Sequence, residues 1–102
     1  MSNAKRVIVD NPESLARTLG LTGAEAQEWQ VQYDLLKKLR QAVQKESCTH
    51  AEVARLGRTS RTRVTAILNG NLDGVSTDLL IRLLASLGYR VRVSVSRVQP
   101  AA

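Results

Sequence analysis

Between Thr49 and Gly70 every apolar stretch is cut off within about two helical turns by a capping residue or a glycine. Thr49-x-x-Glu52 has the form of a capping box. The hydroxyl serves a free N–H of the first turn, and the carboxylate returns to the N–H of the cap. Ala51, Val53, Ala54 and Leu56 supply the apolar residues of the helix it opens, and Gly57 interrupts it. Ser60 reads as the next N-cap, with Val64, Ile67 and Leu68 facing inward and Gly70 as the stop. Helices this short gain little from propensity alone. Two of them across a tight turn have helix-turn-helix proportions and must lean on longer neighbours.

Those neighbours are visible on both sides. Thr22-x-x-Glu25 opens a long helix reaching about Lys45, with Trp29, Tyr33, Leu36, Leu39 and Val43 at spacings of three or four. Glu28, Gln32, Lys37, Arg40 and Gln44 read as its solvated face. Asn71 to Val75 is a connection in which Asp73 is a turn residue. Ser76 or Thr77 caps a further helix with Leu79, Leu80, Leu83, Leu84 and Leu87 on its core face, and Gly88 ends it. Upstream, residues 5–10 predict a short strand around Val7-Ile8-Val9. Asn11-Pro12 predicts a helix start, and that helix runs to about Leu19.

The tail changes period. Val91, Val93 and Val95 alternate with Arg90, Arg92, Ser94 and Ser96, which predicts a strand over 90–98 with one apolar face. A lone strand satisfies neither its backbone nor its face. Its partner is the Val7–Val9 strand, the same strand of a second chain, or both. The second option makes Val91, Val93 and Val95 candidate dimerisation residues. The fold class is therefore mainly α: five helices in a repressor-like domain with short terminal β-strands. One domain spans 1–102: a strand at 5–10, helices within 12–45, a helix-turn-helix core at 49–88 and the tail strand. Met1 to Ala4 has the look of a cloning remnant and carries no weight.

The chain has no Phe and three aromatic residues, so Leu, Val, Ile and Ala must build its core. Net charge is +6, unevenly placed. Residues 1–48 hold seven Lys or Arg against six acids, and residues 49–102 hold eight Arg, no Lys and three acids. An arginine-rich half suits a polyanion. The single cysteine forms no internal disulfide, and no apolar run reaches membrane-spanning length or a signal sequence, so a cytoplasmic protein is expected. Cys48 and His50 alone cannot complete a metal site or a nucleophilic triad. No metal, cofactor or enzymatic activity is expected.

With Val64, Ile67 and Leu68 inward, helical geometry turns Thr62, Thr65, Ala66 and Asn69 outward, flanked by Arg61 and Arg63. No acid occurs between Gly57 and Leu72, whereas an ordinary solvated helix mixes both signs. Arginine can bind guanine in two-point fashion and asparagine adenine. Threonine and alanine methyls can meet thymine. Free amides at the helix start, with the Ser60 hydroxyl, suit a phosphate. Single-strand binding would call for aromatic stacking platforms, and the basic half offers only Tyr89.

Thr49-His50-Ala51-Glu52-Val53-Ala54, then Thr59-Ser60-Arg61-Thr62-Arg63-Val64, then Ile67-Leu68-Asn69-Gly70 resembles the Cro/lambda-repressor-type (Xre-type) helix-turn-helix. Val75 to Leu80, Leu87-Gly88 and the following strand extend the likeness to the HigA-like antitoxin regulators. The resemblance covers about half the chain. It implies a repressor of double-stranded DNA with a toxin protein as a further partner, for which Val7–Leu36 is the candidate surface; the open tail strand adds the expectation of a homodimer. It places Ser60, Arg61, Thr62, Arg63, Thr65 and Asn69 at recognition positions. His50 falls where the family has a glutamine near a phosphate, and Arg58 where it has the turn glycine. An arginine in the left-handed region costs about 1 kcal/mol. That cost favours a turn shifted by one residue and leaves the start of the second helix open.

Overall fold

A computed structural model describes residues 23–97. Good helix formers run unbroken into α1, Gly23–Lys45, which ends near the expected residue. Ser47 then takes a left-handed conformation (φ 52°), and the Cys48 N–H reaches the Val43 carbonyl to close the helix. Three shorter helices follow: α2 (His50–Gly57), α3 (Arg61–Leu68) and α4 (Thr77–Ser86). Each opens on its expected N-cap, with Thr49, Ser60 and Ser76 accepting from the N–H three residues on. Gly70 and Gly88, both at φ 93°, end α3 and α4. In each case the following N–H folds back onto a helix carbonyl, Asn71 to Ala66 and Tyr89 to Leu84.

α1 packs against α4 and α3, and α2 against α3 and α4. The core lies between them. Leu36, Leu39, Val53, Val64, Ile67, Leu80 and Leu83 are fully buried, each side chain contributing about 1.5–3 kcal/mol of transfer free energy. Trp29, Tyr33, Val43, Leu68 and Leu87 pack on its margin. The aromatic pair of α1 is thus core packing. Leu56 departs from the expected pattern: it stays 43 % exposed while Val53 and Ala54 carry the burial of α2.

Two residues assigned to the solvated face of α1 are instead tertiary struts. Gln32 Nε2 donates to the Val75 carbonyl (3.0 Å) and to Thr77 Oγ1 (3.3 Å). Arg40 Nε donates to the Leu68 carbonyl (3.0 Å), closing the C-terminal end of α3. Both lie four residues from Leu36, at the edge of the apolar stripe, where long side chains can reach a neighbouring helix.

The strand expected over 90–98 is absent from its described residues, 90–97. Among the described residues, 89–97 join no sheet ladder. No described residue pairs with this segment, and the Val7–Val9 strand named as one partner lies outside the described residues. Tyr89 anchors its start through a hydroxyl donated to Glu46 Oε2, and Val91 packs on the core. Beyond that point Val93 is 82 % and Val95 90 % exposed. The strand expected over 5–10, the helix over 12–19 and most of the Val7–Leu36 segment lie outside the described residues. The four described helices are the other four of the five expected.

Candidate nucleic-acid interface

The turn between α2 and α3 corrects the sequence expectation. It does not shift: Arg58 itself adopts the left-handed conformation (φ 56°, ψ 50°). The Arg58 N–H donates to Arg55 O and the Thr59 N–H to Ala54 O. Gly57 remains helical and buried. The reason is packing: a Cβ at Gly57 would collide with Leu83 Cδ2 of α4. The glycine is needed for the close approach of α2 to α4, so the strained backbone falls to arginine. Arg82 of α4 adds a bond from Nε to the Gly57 carbonyl (3.0 Å), at the negative end of α2.

With the turn set, Ser60 starts α3 as its N-cap, its Oγ accepting from the Arg63 N–H at 3.0 Å. Arg61 and Thr62 on α3 and Asn69 at its C-cap are exposed, and Thr65 and Ala66 are half-buried. Arg61 makes no hydrogen bond or ion pair among the described residues, so its whole guanidinium is open to a ligand. Arg63 is different. Its Nη2 donates to the Gly74 carbonyl at 2.7 Å and ties the 71–75 loop to α3. That loop is further fixed by Asn71 Oδ1, which accepts from the Asp73 N–H (3.1 Å), and by Gly74 at φ 67°. Asp73 is the turn residue expected. A groove of about 290 Å³ between loop and helix is lined by Thr62, Arg63, Ala66, Asn71 and Asp73.

His50 and Thr65 belong together. His50 Nδ1 lies 2.7 Å from Thr65 Oγ1, linking the first residue of α2 to the middle of α3. Thr65 is thereby committed to the α2–α3 contact, while the second ring nitrogen of His50 is left for an outside partner. Bonds from the Thr49 backbone and side chain hold the Glu52 carboxyl below its ordinary value. Its oxygen accepts from the Thr49 N–H at 2.8 Å and completes the capping box.

The structure therefore brings His50, Ser60, Arg61, Thr62, Arg63, Thr65 and Asn69 to one helix pair, with Arg58 on the turn. Val91, Val93 and Val95 stand on the tail, away from it in sequence. Sequence reasoning missed Arg40 and Arg82, which close the C-terminal ends of α3 and α2. Among the described residues no group of three or more His, Cys, Asp or Glu is arranged to hold a metal. No described helix is long and apolar enough to cross a membrane. A family model described as a helix-turn-helix domain matches residues 19–96. No curated protein and no solved structure matches the chain.

Proposed function

The chain belongs to a helix-turn-helix domain family, and on that footing we propose that it is a sequence-specific repressor of transcription that binds double-stranded DNA. The observation that carries this reading is α3 itself: capped, free of acids, and exposing Arg61, Thr62 and Asn69. Arg61 reads a base edge, with Thr62 and Ala66 closing on the groove floor. Ser60, Arg58 and the free nitrogen of His50 take phosphates. Arg63 holds the 71–75 loop beside the duplex. The protein acts in the cytoplasm by binding alone, without catalysis or cofactor. Two copies place their recognition helices about 34 Å apart on a pseudo-palindromic operator.

Selection of bound duplexes from a random pool, followed by titration of the recovered site, tests the reading. Arg61→Ala is expected to cost roughly 1–3 kcal/mol on the selected site and far less on scrambled duplex. An equal loss on both would reduce Arg61 to a phosphate contact. Failure to enrich any sequence would refute specific recognition. The HigA-like pattern of residues 75–95 favours an antitoxin among repressors. Co-purification with the product of a neighbouring short gene tests that extension, and absence of a complex ends it.

A further inference from the structure

The tail after Val91 leaves the domain with its apolar face uncovered. Alternation puts Val91, Val93 and Val95 on one side of this segment once it pairs as a strand. Their exposure rises outward: Val91 packs on the core, Val93 is 82 % exposed and Val95 90 %. At the root of the tail is a groove of about 470 Å³ whose apolar floor is Leu35, Leu84, Tyr89 and Val91 and whose rim carries Asp34, Lys38, Arg90 and Arg92. The tail backbone is unpaired among the described residues.

We infer that the occupant of this groove is the tail of a second copy, in an antiparallel two-stranded ribbon centred on Val93. The inference rests on the dimeric part of the function proposed above and gives it a surface and a register. An antiparallel partner inverts the exposure gradient. The partner's Val95 comes to lie beside Val91, over the groove, and each domain covers the valine that the other leaves bare.

Register follows from the residue types. With Val93 opposite its own copy, Val91 opposes the partner's Val95, Arg92 the partner's Ser94, and Arg90 the partner's Ser96. All valines then meet valines, and no arginine faces an arginine. Centring on Arg92 sets two guanidinium groups against each other. Centring on Ser94 sets Val91 against the partner's Arg97. Centres between residues place valine opposite arginine or serine and mix the faces. In the Val93 register the partner's Arg97 falls opposite Tyr89. The arrangement is isologous and closes on itself, as a two-fold dimer requires. It also removes an exposed strand edge.

Cysteine cross-linking of the full chain tests the register. Directly opposed residues of an antiparallel pair have Cα atoms about 4.5–5.5 Å apart, within the range a disulfide spans. Val93→Cys is expected to form a covalent dimer on mild oxidation. Val91→Cys or Val95→Cys alone is not, because two copies of either residue lie about 13 Å apart along the ribbon. A mixture of the two is expected to give the 91–95 heterodimer. Wild type, with Cys48 alone, is the blank. Val93→Asp is expected to weaken the dimer at least tenfold by light scattering, with an unchanged Tm for the domain at a concentration where both are monomeric. Equal cross-linking at all three positions, or none at 93 in a chain that scatters as a dimer, overturns the ribbon and leaves the dimeric reading standing. A wild-type monomer at tens of micromolar overturns both and gives the groove to another occupant, such as the chain's own first residues.

Discussion

Gly57 and Arg58 divide two demands that one glycine would ordinarily meet, and substitutions can separate them. In Gly57→Ala the new methyl overlaps Leu83 Cδ2, and it also lies 3.6 Å from Leu83 Cγ and 4.0 Å from its Cα. Leu83 is fully buried, so swinging its tip aside only transfers the clash to the core. Overpacking of this kind costs about 2–3 kcal/mol, and alanine recovers about 1 kcal/mol of helix propensity. The net loss is about 1–2 kcal/mol, a fall in Tm on the order of 10 °C for a domain this size. Arg58→Gly acts oppositely. It removes about 1–2 kcal/mol of left-handed strain and gives back about 0.4–1 kcal/mol through the freer unfolded chain. The expected net gain is about 0.5–1 kcal/mol. The double variant, which moves the glycine to the turn, should stay below wild type. Thermal and urea unfolding followed by circular dichroism reads all three. A Gly57→Ala protein as stable as wild type would refute the argument that packing against α4 fixes the glycine at 57.

Arg40→Ala should lower stability by about 1 kcal/mol by leaving the Leu68 carbonyl without its charged donor, and Arg40→Lys should recover little, since the bond uses Nε of a planar fork. The check is a Tm series read beside operator affinity. Arg63→Ala should weaken binding by a similar factor on selected and scrambled duplex, unlike Arg61→Ala, because its guanidinium is held by Gly74; competition titrations decide. Glu52 carries a lowered carboxyl pKa, so its support for the α2 cap is complete above the ordinary glutamate range and is lost as pH falls through the folded value. Glu52→Gln should accordingly show a shallower loss of Tm than wild type on acidification through and below about pH 4.5, the midpoint of ordinary glutamate titration.

Caps and the leucine ladder were legible because they are local. Thr49, Ser60 and Ser76 cap the helices they were read to cap, since an N-cap bond spans three residues and needs no distant partner. Leu79, Leu80, Leu83 and Leu84 are buried as their spacing required. Legibility stopped where a choice depended on a second helix. Whether Gly57 or Arg58 takes the turn is decided by Leu83, twenty-six residues beyond Gly57. Gln32 and Arg40 look solvated on a helical wheel, but their carbonyl partners belong to the α4 entry and to α3. The valine alternation of the tail was readable as a face, but alternation alone names no partner for it.

The same division governs the arginines. Eight stand between Thr49 and Ala102, and the count suggested a broad polyanion surface. Three of them serve the fold. Arg58 carries the strained turn, Arg63 ties the loop to α3, and Arg82 closes the end of α2. Arg90 and Arg92 line the groove at the root of the tail. Arg61 is the residue that stands on α3 with no bond to the fold among the described residues. Net charge therefore overstates the part of this surface that can discriminate sequence, because a guanidinium already bound to a carbonyl has fewer donors to offer a base. Recognition in which Arg61 alone reads a base edge, with Arg58 on a phosphate and a few small side chains around it, should show a modest salt slope and a sharp preference at the base pair Arg61 meets. A surface of eight equivalent arginines would give the reverse.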